Sequence, residues 1–270
     1  MMPLTEKNLP LAISFFNDAT GVGKTFGAWR TRYHFDDAKI PTRFVCIETG
    51  GVPRRLRRGD VFIPVEDFAE TARMPGGIAG VLQPYSAAVL GLAGTRSALI
   101  ADLAGGLARH YAEYLAATRF DQLLHGQGIT TLGVVVATNR IEHMREALIN
   151  LDMLAATVPL MHRALLLNYR FGGFKFLAGS PSATVYRDLM RRAEDGCAVI
   201  RLPAVVGDSW KTAEDAQLTL KQALNAAPAE FAKRTRLDLL TAAACLTEVE
   251  TFYQDSEVAL DGVLRFRDAE

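Results

Sequence analysis

Cysteine is scarce: three residues in 270, Cys46, Cys197 and Cys245, an odd number at wide spacings. That excludes a disulfide framework and the paired spacing of a structural zinc site, and it suits a reducing cytoplasm. The five histidines, His34, His110, His125, His143 and His162, fall at no metal-ligand interval and beside no nucleophile. They read as structural or solvated, because a zinc centre or a catalytic triad needs several convergent groups. Ser180-Pro181-Ser182 lacks the glycine elbow of a hydrolase and reads as a helix start. Charge of either sign is not in excess, with 30 basic and 30 acidic residues. No global field draws the chain to nucleic acid or anionic lipid, so any such contact needs a local patch. The segment Met1 to Asn8 has no basic, apolar and small-residue succession, so export is not expected. The long uncharged run from Met74 to Thr95 is interrupted by Gln83, Pro84, Ser86 and several glycines. It reads as a buried helix or subunit contact, and no membrane span is expected.

What remains is an ordinary globular composition, 49% hydrophobic and 22% charged, at a length near the upper limit for one core. A single domain over residues 1–270 is expected, with residues 228–270 as a C-terminal helical extension.

The informative stretch is Asn17-Asp18-Ala19-Thr20-Gly21-Val22-Gly23-Lys24-Thr25, between the apolar run Leu11 to Phe16 and a helical pattern. A strand, a glycine turn ending in Gly-Lys-Thr and a helix form a phosphate cradle, in which backbone N–H groups converge on an anion and small residues permit close approach. Thr20, Gly21, Val22 and Gly23 form the turn; Lys24 is placed to reach the outer phosphates and Thr25 to hold magnesium. The usual pattern opens with glycine where this chain has Asp18.

Further on, Thr42 to Glu48, Arg96 to Asp102, Thr130 to Thr138, Arg163 to Tyr169 and Cys197 to Pro203 are near-continuous apolar runs, with Val61 to Pro64 a shorter one. Helical patterns follow at 25–38, 65–73, 107–124, 142–156, 182–194, through Leu224 after a loop containing Trp210, and in one or two pieces from Ala229 to Tyr253. Strands buried on both faces and alternating with helices predict an α/β fold: a doubly wound, mostly parallel sheet with helices on both faces, closed by C-terminal helices. Ligands in such folds bind outside the carboxyl ends of the strands, which gathers the loop, Glu48 to Gly51, Asp102, Asn168 and Pro203. Asp102 is the acid suited to a magnesium-bound water. Arg54, Arg55, Arg57 and Arg58 make a basic run, read as a solvated loop or as a contact with DNA or a protein partner.

The order of these parts resembles the ParA/MinD family of P-loop ATPases, whose loop reads Lys-Gly-Gly-x-Gly-Lys-Thr. Ala19 stands where that family keeps a signature lysine that reaches across the dimer. Glu48 aligns with the first acid of the family's second-strand motif, and Gly50 with the second, which is tied to hydrolysis. Asp102 matches the third motif, Asn168 the late asparagine that helps read adenine, and Pro203 the loop that packs on the base. The resemblance implies ATP and Mg2+ as ligands, Lys24, Glu48 and Asp102 in a catalytic role, Thr25 and Asp102 at the metal, a homodimer, cytoplasmic location, and a place in plasmid or chromosome partition or in conjugation. The missing second acid implies a weak ATPase that acts as a switch. Two other readings stand beside it: a small-molecule kinase with the arginine run as its lid, for which the sequence nominates no acceptor base, and a scaffold with a vestigial site.

Overall fold

Runs rich in apolar residues suit strands covered on both faces, and seven strands assemble here into one sheet whose edges β3 and β7 are the part-exposed ones: β1 (Leu11–Phe16), β2 (Thr42–Glu48), β3 (Val61–Pro64), β4 (Ala98–Leu103), β5 (Thr130–Ala137), β6 (His162–Asn168) and β7 (Cys197–Leu202). The computed structural model describes residues 2–48, 53, 56–65, 77–205, 207 and 209–266. Gly50, Arg54, Arg55 and nearly all of the helix expected from Val65 to Arg73 lie outside the described residues. The strand order is β3-β2-β4-β1-β5-β6-β7, every pairing is parallel, and β1 lies at the centre between β4 and β5.

The period of two along β1 divides the core into two halves. Leu11, Ile13 and Phe15 face one side, where α1 (Lys24–Asp37) packs with the C-terminal helices α7 (Ser209–Asp215), α8 (Leu220–Leu224), α9 (Pro228–Thr235) and α10 (Leu239–Asp261). Ala12 and Phe16 face the other side, covered by α2 (Gly77–Leu90), α3 (Ala108–Ala117), α4 (Phe120–Gly126), α5 (Ile141–Thr157) and α6 (Pro181–Glu194). Ser14, the polar exception on β1, is buried, and its hydroxyl meets those of Tyr111 at 2.9 Å and Tyr85 at 3.4 Å. Three hydroxyls thus satisfy one another inside the apolar layer.

Two expected helices are each broken into two. The 107–124 pattern is interrupted where Arg119 takes a left-handed conformation at φ 49° and the Thr118 hydroxyl donates back to the Tyr114 carbonyl. That turn lets Phe120 and Leu124 reach the core. The segment after β7 divides likewise, with Gln217 at φ 57° and Thr219 opening α8 through a reciprocal cap with Gln222. The uncharged run beyond Gly77 forms α2, which buries Leu82, Tyr85, Ala88 and Val89 and carries Pro84 inside it. No helix among the described residues is long and apolar enough to cross a membrane.

Candidate functional site

The turn after β1 is held open by its own side chains. Asn17, fully buried, donates through Nδ2 to the carbonyls of Val136 (2.7 Å) and His143 (3.2 Å) and accepts from the Ala19 N–H through Oδ1. Asp18 accepts from the Ala108 N–H at 2.9 Å, the first residue of α3, while its own carbonyl receives the Gly106 N–H. The position where the sequence pattern usually has glycine therefore carries an acid that secures the neighbouring helix. Gly23 lies at φ 95°, and a Cβ built on it would come within 2.3 Å of the Asn168 Nδ2. Only glycine fits there. α1 begins at the next residue with glycine as its N-cap, so no N-cap side chain accepts from the N–H groups of its first turn.

Lys24 is buried, and its Nζ donates to the carbonyls of Asn17 (2.7 Å) and Ala19 (3.0 Å), folding the side chain back over its own loop. Burial pulls its pKa down, and Asp102, Asp18 and Glu48 oppose that pull. Asp102 pairs in register with Phe15 of β1, which brings its carboxylate to the carboxyl end of the sheet beside the loop. It is 2% exposed, and neither oxygen has a hydrogen-bond partner of ordinary geometry among the described residues. Burial pushes its pKa up to about 7; the nearby Thr25 hydroxyl and the Lys24 ammonium favour the charged form, and Glu48 disfavours it. An unsatisfied buried carboxylate costs free energy, and a cation or a donor brought to it recovers that cost. Cys46, one strand over, has its thiol pushed up to about 12 by burial and by the charges of Asp102 and Glu48, and is an inert core group.

A cleft of about 360 Å³ runs over the turn, lined by Thr20, Gly21, Val22, Gly23, Lys24 and Thr25 on one side and by Glu48, Leu103, Ala104, Gly105, Arg170 and Glu214 around it. Next to it lies a second of about 260 Å³, lined by Asn168, Pro203, Val205, Trp210, Lys211 and Phe252, with Gly23, Phe26, Arg170 and Glu214 common to both. The aromatic rings form one wall: Phe26 lies 5.6 Å from Trp210 and 5.5 Å from Phe252, centroid to centroid. A flat heteroaromatic ring fits such a surface. A hollow of about 450 Å³ at the opposite end of the strands, around Lys39 and Arg96, is far from this chemistry.

The structure thus brings Thr20, Gly21, Val22, Gly23, Lys24, Thr25 and Glu48 to one cleft with Asp102 beneath, and Asn168 and Pro203 to the adjoining one. Asn168 is buried and committed on both sides of its amide: Nδ2 donates to the Val22 carbonyl at 2.9 Å, and Oδ1 accepts from the Arg170 N–H at 3.0 Å. Sequence reasoning missed Phe26, Arg170, Glu214, Trp210 and Phe252 as cleft residues. Arg170 and Trp210 carried a signal, standing just past the ends of β6 and β7, whereas Phe252 comes from a distant helix and carried none.

Part of the basic run is placed elsewhere. Arg57 forms a two-pronged ion pair with Asp36 of α1 at 2.7 and 3.0 Å. Asp60 is held by Arg32, by the Phe44 N–H and by the Arg57 N–H. The far end of the 50–60 segment is therefore anchored to α1 and β2. Among the described residues His34, Glu257 and Asp261 bring three ligand atoms within 4.8 Å. Both nitrogens of His34 already have partners at 2.7 Å, the Glu257 carboxylate and the Leu264 carbonyl.

An all-parallel, doubly wound sheet whose central strand feeds a Gly-x-Gly-Lys-Thr turn into a glycine-capped helix has the P-loop NTPase architecture. This is the fold that the ParA/MinD resemblance implies. No protein-family model and no curated protein matches the sequence. Solved structures do match. The MinD cell division protein of Aquifex aeolicus is similar at 10% identity over 89% of this chain and 95% of that one, with a TM-score of 0.45. Apo McdA of Cyanthece is similar at 11% identity over 93% and 99%, with a TM-score of 0.46.

Proposed function

We propose that this chain binds ATP with magnesium in the cleft over the 17–25 turn and hydrolyses it slowly, acting as a nucleotide-dependent switch. The observation that carries the reading is Asp102, a buried carboxylate with no hydrogen-bond partner of ordinary geometry among the described residues, beside Lys24 and the glycine-capped start of α1. A divalent cation suits those two oxygens, with Thr25 contributing its hydroxyl. Magnesium, when bound, neutralises phosphate charge and fixes the orientation of the outer phosphates.

The residues then divide the work. The first-turn N–H groups of α1 and the backbone at Gly21 and Gly23 cradle phosphate oxygens. Lys24 leaves the Asn17 and Ala19 carbonyls for the outer phosphates. Phe26, Trp210 and the Pro203 loop hold the base in the adjoining cleft. Asn168 braces the Val22 carbonyl, so its contribution is to keep the turn in shape. Glu48 helps organise the metal's water shell. The resemblance adds a homodimer and a role in partition or conjugation; the basic run Arg54, Arg55, Arg57 and Arg58 adds a DNA or protein contact, in which Arg57 is already engaged by Asp36.

Slow hydrolysis follows from the end of β2. An attacking water needs a positioned base within hydrogen-bond reach, and Gly50 has no side chain to supply one. Asp60, held by Arg32, is not free to substitute. Turnover by the purified protein is expected about 10²- to 10⁴-fold below that of a site with a positioned base. A steady-state ATPase assay of the unmodified chain beside Gly50→Asp, with and without DNA, checks this, and the expected result is slow turnover that the substitution raises. Brisk turnover lost on Glu48→Gln would transfer the water-positioning role to Glu48. Phosphorylation of a small hydroxyl compound in the same assay would favour the kinase reading.

A further inference from the structure

We propose that Arg170 is a phosphate-binding residue, a cation supplied from the end of β6 within the same chain to the cleft whose turn has Ala19 in place of a lysine. The inference rests on the nucleotide reading above and extends it to a residue that the loop motif does not predict.

The charge inventory of the cleft comes first. Its walls and floor carry Glu48, Glu214, Asp102 and Asp18 against Lys24 and Arg170. Lys24 alone cannot balance a polyphosphate among these acids, and two of its donors are now spent on the Asn17 and Ala19 carbonyls. Among the described residues Arg170 is the other cation lining the cleft over the turn.

Position is the second point. Asn168 holds Arg170 in fixed relation to the turn, since one amide donates to the Val22 carbonyl and accepts from the Arg170 N–H. The same Nδ2 occupies the space that a Cβ on Gly23 would need. The backbone of Arg170 is therefore registered to the phosphate turn through a single buried side chain.

Availability is the third. Among the described residues no carboxylate forms an ion pair with the Arg170 guanidinium. It lies 5.4 Å from the centroid of the Phe171 ring, whereas Arg140 takes that ring at 4.1 Å. A planar, permanently charged fork with no ion-pair partner among the described residues can bind phosphate oxygens in pairs, which lysine cannot do.

The test is calorimetric titration of ATP with magnesium into the unmodified chain, Arg170→Ala, Arg170→Lys and Arg140→Ala. Arg170→Ala is expected to weaken binding about 10- to 100-fold, the range of one charge-assisted hydrogen bond. Arg170→Lys should recover part of that loss, since charge is restored without the fork, and Arg140→Ala should stay within about twofold, the scale of an exposed contact. If the unmodified chain binds ATP and Arg170→Ala binds it equally well, the inference is overturned while the nucleotide reading stands. It is also overturned if Arg140→Ala reproduces the loss, which would assign the effect to the Phe171 surface. Absence of ATP binding by the unmodified chain overturns the nucleotide reading and this inference with it.

Discussion

Replacing Lys24 with alanine is expected to weaken ATP binding by about two to four powers of ten. Each charge-assisted hydrogen bond to phosphate contributes about 1.5–3 kcal/mol, and losing two of them at about 1.4 kcal/mol per tenfold gives that range. The variant should remain folded. In the free protein the ammonium is buried and its pKa is lowered by that burial, so its charge is disfavoured in the folded state. Its removal leaves the Asn17 and Ala19 carbonyls, which a water at the mouth of the cleft can satisfy. Calorimetry and thermal melting on the same preparation separate the two effects. An unchanged dissociation constant would remove the cradle assignment; a collapsed melting temperature would show that Lys24 is structural.

The second large effect concerns stability. Glu257 on α10 receives Arg30 at 2.6 Å on one oxygen and His34 at 2.7 Å on the other, and both partners come from α1. Arg30 also donates to the Ser256 hydroxyl and the Tyr253 carbonyl, and lies over the Tyr253 ring at 4.1 Å. The side chains of Arg30 and His34 are 1% and 0% exposed and that of Glu257 is 9% exposed. Removing one partner from a buried network strands the others, and Glu257→Gln is expected to cost about 3–5 kcal/mol. The Arg30 Nη1 already lacks a partner, so no neighbouring acceptor takes over. At about 2–4 °C per kcal/mol for a chain of this size, the melting temperature should fall by roughly 6–20 °C.

The same group sets a pH dependence. Burial alone would raise the Glu257 carboxyl, but His34 and Arg30 outweigh it and bring its pKa from 4.5 down to about 2. A carboxyl depressed in the folded state contributes stability that is fully present above its unfolded value and lost as protons bind. The contribution should therefore be complete above about pH 4.5 and decline towards pH 2. Denaturant midpoints across that window are expected to fall more steeply for the unmodified chain than for Glu257→Gln. Parallel slopes would remove Glu257 from the account of acid stability.

The extent to which the fold could be read from the sequence depended on how local its causes were. β1 was legible to the residue because its side chains are almost all apolar and a strand buried on both faces permits little else, and β2 and β3 were legible from the apolar stretches at their centres. The turn from Thr20 to Thr25 was legible because its chemistry is contiguous. The break at Arg119 was not, because a left-handed arginine carries no glycine or proline signal and follows from where Phe120 must pack. Asp18 looked like a defect in a motif and is instead the acceptor for the first N–H of α3, a contact 90 residues away in sequence. The Glu257 network was invisible for the same reason, joining residues 223 and 227 positions apart. Arg170 and Phe252 became cleft residues only once β6 and α10 were placed against α1.

The measurement that bears most directly on the nucleotide assignment is equilibrium binding of ATP to the unmodified chain by calorimetry, with magnesium present and again with a chelator in its place. The predicted result is saturable binding of one nucleotide per chain, weakened when magnesium is removed, because the Asp102 oxygens and the Thr25 hydroxyl are assigned to the cation. Titration to saturating ATP with magnesium that yields no binding heat, and no displacement of a labelled nucleotide, would contradict it.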